Sequence, residues 1–147
     1  MKRNCLLVAV LKNPKSLMEL SEAEWSLLIP QARHASLLAH LYALTRKYDL
    51  RDLPQRPTNH LFSSWVTYEK QAQALDYEIK WLLKAFKEIN VKLLLLKGAA
   101  YRFAKLPGAK GRLVSDIDLL VPKSVLAKVE AISADYGWEA GEQENYD

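Results

Sequence analysis

Asp116 and Asp118 stand two residues apart in the run Ser115-Asp116-Ile117-Asp118-Leu119-Leu120-Val121. In an extended strand, side chains at i and i+2 share a face. The two carboxylates then project side by side, and Ile117 points the other way into a core. Paired carboxylates are hard oxygen ligands for Mg²⁺ or Mn²⁺. An ion held there can clamp nucleotide phosphates and stabilise an in-line phosphoryl displacement. Carboxylates at this spacing are also common at solvated strand ends, so the surrounding elements must decide between the two readings.

Those elements begin at Val91. Val91 to Leu96 is almost wholly apolar, too short for a helix, and fits a buried strand ending in Lys97-Gly98. A glycine at a strand-to-helix turn lets backbone approach a phosphate closely. Ala99 to Lys105 reads as a short helix whose first N–H groups face an anion. Lys97 adds a point charge there. Leu106 to Gly111 is a loop, and Val114 to Val121 the second strand. Arg112 either contacts phosphate or makes a surface ion pair. Ser115 is a hydrogen-bonding residue at strand entry rather than a nucleophile, since no histidine is near it in sequence. Pro122 breaks the strand. Lys123 or Ser124 then opens a helix to about Tyr136, closed by Gly137 at C′. Trp138-Glu139-Ala140 starts a third strand in this reading. A sheet this thin suggests a fragment or a natural truncation.

The preceding residues read as helical. Ser21 and Glu24 have the form of a capping box. Pro30 interrupts that helix, and a second runs from about Gln31 to Tyr48, followed by a linker from Asp49 to Pro57. From Thr58 to Asn90, the residues Leu61, Trp65, Tyr68, Ala72, Leu75, Ile79, Leu82, Phe86 and Ile89 alternate spacings of four and three. This predicts one long helix over about 58–90, capped by Thr58 or Asn59. Its stripe either packs on the earlier helices or forms a homodimer seam, and Trp81 and Leu83 widen it in favour of packing. The expected fold is α+β: a helical region over 1–90 packed on a minimal, truncated palm over 91–147 with a small mixed sheet.

Composition sets outer bounds. Half of the 147 residues are hydrophobic, enough for a core and too many for a disordered chain. The formal charge of +4 is mild and spread along the chain, compatible with nucleotide or RNA partners without requiring them. Cys5 is the single cysteine, so no internal disulfide forms, and the three histidines have no zinc spacing. The apolar run from Cys5 to Leu11 is too short for a leader, and no run approaches a membrane span. The expected compartment is the cytoplasm. Trp25, Trp65, Trp81 and Trp138 are too scattered for a base-stacking platform and read as packing anchors.

The segment Leu95-Leu96-Lys97-Gly98-Ala99-Ala100, followed by Arg112 and Ser115-Asp116-Ile117-Asp118-Leu119-Leu120-Val121, resembles the bacterial uncharacterised nucleotidyltransferase family. That family belongs to the nucleotidyltransferase superfamily, with a polymerase-beta-like palm. The resemblance implies transfer of a nucleoside monophosphate from a nucleoside triphosphate, such as ATP, to an acceptor. That acceptor is a small molecule, a sugar, a protein or an RNA. It implies Asp116 and Asp118 as catalytic ligands of Mg²⁺ or Mn²⁺. Lys97, Gly98, Ala99, Arg112 and Ser115 would form the phosphate site. Two departures stand out. Gly98-Ala99 replaces the superfamily's glycine-serine pair. A third carboxylate from a later strand has no assured match, with Glu139, Glu142, Glu144 and Asp147 as candidates by order alone. If none reaches the site, the rival reading is a non-catalytic module that associates through its long helix.

Overall fold

A computed structural model describes residues 5–139. The chain opens with helix α1 (Leu6–Lys12) and a 3₁₀ turn at Pro14–Glu19. Helices α2 (Glu22–His34), α3 (Leu38–Lys47) and α4 (Gln55–Glu88) follow. Strand β1 (Leu94–Leu95), helix α5 (Lys97–Phe103), strand β2 (Leu119–Leu120) and helix α6 (Leu126–Asp135) complete the described residues. The architecture is α+β. Among the described residues its sheet has two antiparallel strands, with Leu94 opposite Leu120 and Leu95 opposite Leu119.

The capping box at the start of α2 is borne out. The Ser21 backbone N–H donates to Glu24 Oε2 at 2.9 Å, and the Glu24 N–H donates to Ser21 Oγ at 3.3 Å. The bond from the Ser21 N–H, and then one from the Ser21 hydroxyl to Glu24 Oε2 at 2.8 Å, hold the Glu24 carboxyl below its ordinary range. Pro30 does not interrupt α2, which continues to His34. The break comes instead at Ser36, in a left-handed conformation with φ 56°. There the Leu37 N–H donates to the Ala32 carbonyl at 2.8 Å and the Ser36 N–H to that of Arg33 at 3.0 Å. This is a Schellman cap. The same left-handed cap closes α3 at Asp49, α4 at Asn90 and α5 at Lys105, and Gly137 closes α6 as its sequence position predicts.

Helix α4 starts at Gln55, three residues before the expected start at 58. Pro54 is the N-cap, and neither Thr58 nor Asn59 caps it: Thr58 Oγ1 donates back to the Pro54 carbonyl, and Asn59 Oδ1 accepts from Gln55. Pro57 is tolerated because the first helical turn needs no N–H from it. The stripe is buried within the chain itself. Leu61 joins Leu7, Val10, Leu17, Trp25, Leu28 and Leu41 in the main core. Tyr68 and Ala72 meet Ala39. Leu75 and Ile79 meet Ala99, Leu95, Val114 and Ile117. Leu82, Ala85 and Phe86 meet Leu119, Val121, Val129 and Ile132. One helix therefore packs on the bundle with its first half and supports the sheet with its second. No described helix is long and apolar enough to cross a membrane.

Candidate nucleotidyl-transfer site

Two short strands are enough to aim the carboxylates. The β ladder extends past its paired leucines by one bond, from the Leu96 N–H to the Asp118 carbonyl at 2.9 Å. Alternation then settles the faces. Leu95, Ile117 and Leu119 turn inward onto α4. Asp116 is exposed and Asp118 half-buried on the outer side. Both lie in extended chain just before β2, not within a long strand over 114–121 as the apolar pattern predicts. Pairing stops because β1 turns into α5 directly after Leu96, which leaves residues before Asp118 without a partner strand.

That turn is made by Lys97, whose φ is +49°. Its ammonium Nζ donates to Asp118 Oδ1 at 2.9 Å. This hydrogen bond, then the charges of Asp118 and Asp116, raise Lys97 above its ordinary value. Ser115 Oγ donates to Asp116 Oδ1 at 3.3 Å. Lys97, Ser115, Asp116 and Asp118 thus form one cluster at the mouth of the β1–α5 turn.

Gly98 also meets a packing need. It is buried, and a Cβ added to it would lie 2.8 Å from Val114 Cγ2. The glycine lets α5 close on the segment that carries the aspartates. Ala99 is 1% exposed and packs among Leu75 and Ile79. A side chain at this position faces the core, so only the backbone N–H of Ala99 is left to meet a ligand. Arg112 does not join the carboxylates; its guanidinium lies over the Tyr101 ring at 5.3 Å.

Two anchors that the sequence does not advertise hold this corner in place. Arg102 on α5 makes two bonds to Asp76 on α4, at 2.7 and 2.6 Å, and a third to Tyr68 Oη at 3.2 Å. The Arg102 bond holds the Asp76 carboxyl below its usual range. The loop before Arg112 is pinned on α3, where His40 Nδ1 donates to the Lys110 carbonyl at 2.8 Å. Gly111, with φ +81°, sits where a Cβ would fall 2.5 Å from the His40 backbone. Both anchors join residues far apart in the chain, so no local pattern signals them.

Among the described residues, no third carboxylate joins the cluster. Among the described residues, no group of three His, Cys, Asp or Glu is placed to hold a metal ion, Glu139 included. Glu142, Glu144 and Asp147 lie outside the described residues, as does Ala140 of the expected third strand. Trp138 and Glu139 are not in a strand. Trp138 stacks on Tyr136 with ring centroids 5.9 Å apart, and its indole N–H donates to Glu78.

A family model described as uncharacterised nucleotidyltransferase matches residues 21–147, which include the helices as well as the aspartate segment. The chain belongs to this family. No curated protein and no solved structure matches it. The matched range contains Lys97-Gly98, Arg112 and Ser115-Asp116-Ile117-Asp118 and begins upstream in the helical region.

Proposed function

We propose that this chain transfers a nucleoside monophosphate from a nucleoside triphosphate to an acceptor, with Asp116 and Asp118 as ligands of a divalent cation. The reading divides it into a helical region over 1–90 and a palm over 91–147. The observation that carries it is the cluster of Lys97, Asp116 and Asp118 in a member of a nucleotidyltransferase family. The donor set fits the ion. Both groups are hard oxygen ligands on the outer side of the sheet, and Asp118 already accepts a cationic partner. When bound, Mg²⁺ or Mn²⁺ supplies positive charge to the triphosphate and to the phosphorus under attack.

The chain's own residues do the rest. Ser115 orients Asp116 through its hydroxyl. With Asp118 engaged by a divalent cation, Lys97 would be released from it and would offer its ammonium to the phosphates. The α5 N-terminus offers the N–H groups of its first turn. The acceptor hydroxyl oxygen attacks the α-phosphorus and gives up its proton to solvent water, the α–β anhydride bond breaks, and pyrophosphate leaves. The acceptor is a small molecule, a sugar, a protein or an RNA.

Thermal unfolding with Mg²⁺ or Mn²⁺ and each nucleoside triphosphate tests this reading. A nucleotide at ~100 times its dissociation constant stabilises by about 2.7 kcal/mol. The shift is expected to need the metal and to vanish in Asp116→Asn/Asp118→Asn. No shift with any nucleotide would sink the proposal and leave association through the helices as the better account.

A further inference from the structure

A cleft of about 600 Å³ opens between α4 and the end of α6. That volume is within the range of small-molecule sites, and it is open with every neighbouring side chain in place. Asp116 and Asp118 face away from α4 on the outer side of the sheet, so the cleft is no part of their cluster.

Four aromatic side chains line the cleft: Tyr77 and Trp81 from α4, and Tyr136 and Trp138 from the chain that closes α6. The Trp81 ring stands at 65° to Tyr77 and at 67° to Tyr136, with centroids 5.9 and 5.7 Å apart. Trp138 lies parallel to Tyr136 and extends that wall. Rings set at steep angles around a space offer their negative faces to a cation, as in an aromatic cage. Hydrogen bonds fix the walls. The Tyr136 hydroxyl donates to Glu88, and the Trp138 indole N–H donates to Glu78 Oε2 at 3.3 Å. Tyr77 is 58% exposed and keeps one side of the cage open to solvent.

The charge of the lining points the same way. Glu78 and Asp135 stand there against one cation, Lys84. Among the described residues, neither carboxylate has an ion-pair partner. Lys84 instead holds its ammonium over Trp81, 4.9 Å from the ring centroid. The chain thus lays a cation of its own on a wall of the cage, on an exposed and flexible stem. A primary ammonium in the cleft would need acceptors for three N–H groups, and Glu78 already accepts from Trp138. A quaternary ammonium has no N–H group and needs only ring faces and negative charge.

We infer that this cleft binds a small molecule carrying a quaternary ammonium group. The group lies against Trp81 and Tyr77, with Glu78 and Asp135 as countercharge. Lys84 swings away as the ligand enters and is therefore a built-in competitor. The inference does not depend on nucleotidyl transfer.

The test is titration of the full chain with choline chloride, read by tryptophan fluorescence. NaCl at matched ionic strength and 3,3-dimethyl-1-butanol, the uncharged isostere of choline, serve as controls. Choline is expected to give a saturable change, and the alcohol to bind about tenfold more weakly. Lys84→Ala is expected to tighten choline by about threefold, which loss of a merely structural lysine would not do. Glu78→Gln keeps an acceptor for Trp138 and removes the charge, and Tyr77→Leu removes an exposed ring. Each is expected to weaken choline by about threefold with an unchanged far-UV circular dichroism spectrum. Asp116→Asn/Asp118→Asn leaves choline binding unchanged, which separates this inference from the nucleotide site. A response no larger than that with NaCl overturns the inference, as does equal affinity for the alcohol. So does a choline affinity that fails to rise in Lys84→Ala, survives both Glu78→Gln and Tyr77→Leu, or disappears in the aspartate pair. Sedimentation with phosphatidylcholine vesicles decides the source of the group. Protein that stays in the supernatant supports a free small molecule, and protein that pellets overturns that assignment.

Discussion

Leu41 and Leu120 are the same residue type in one chain, yet Leu41 is wholly buried and Leu120 is 56% exposed. Leu41 belongs to a bundle in which α1, α2, α3 and the first half of α4 enclose a shared core. Leu120 belongs to a sheet with two described strands, which has two faces and α4 beneath one of them. Leu94, its cross-strand partner, is 58% exposed beside it. A helix buries one stripe and can be fully served by its neighbours, whereas a sheet needs cover on each face. The outer face without cover, among the described residues, is the one that carries Asp116 and Asp118. Stability is concentrated in the bundle, and the chemistry proposed here sits where packing is thinnest.

The strongest test of this contrast is a pair of truncations read by urea unfolding. Leu41→Ala is expected to cost about 2–5 kcal/mol. Leu120→Ala is expected to stay within about 0.5 kcal/mol. Equal costs would break the comparison, because they would mean that the outer face is covered.

Gly98 sharpens it next. Gly98→Ala places a methyl against Val114 and is expected to cost about 1–3 kcal/mol. Val114→Ala opens that space, so the double variant should recover most of the loss. Failure of the rescue would show that the glycine serves something other than close packing.

A smaller effect is expected at the tie between the two halves of the molecule. Asp76→Asn weakens a partly exposed pair with Arg102 and should cost about 1 kcal/mol at neutral pH. The folded-state carboxyl lies below its ordinary value of 3.8, so its stabilisation is present above that value and is lost as pH falls through the folded one. The gap between wild type and variant should be flat at neutral pH and close in acid. A gap that persists there would assign the loss to packing.

Lys97→Met should change stability least, within about 0.5 kcal/mol, since Lys97 is exposed. Its signature is in binding: Mn²⁺ affinity rises because Asp118 loses its competitor, while triphosphate affinity falls. Calorimetric titration reads both, and an unchanged Mn²⁺ affinity would remove Lys97 from the site.

Helix boundaries show where local reading ends. Ser21 and Glu24 announce their cap because both partners lie within one turn, and Gly137 announces a left-handed stop because glycine adopts it freely. Ser36, Asp49, Asn90 and Lys105 make the same stop without glycine. Ser36 hides the break between α2 and α3 for that reason. The cost of the left-handed backbone at these positions is offset by packing of the helices they join, which no window of sequence contains.

By itself the sequence determined the elements that depend on near neighbours. These are the stripe of α4, the capping box, the apolar segment before Lys97 and the spacing that sets Asp116 and Asp118 apart from Ile117. Period and spacing are properties of the local chain, so they survive without a fold. Only the tertiary structure decided that the α4 stripe is buried within the chain and that Lys97 rather than Gly98 takes the left-handed turn. It alone decided that Ala99 faces the core, and that Arg102 and Gly111 hold the corner from α4 and α3. Each of these depends on which distant surfaces meet, and that is set by closure of the whole core rather than by any residue's own preference.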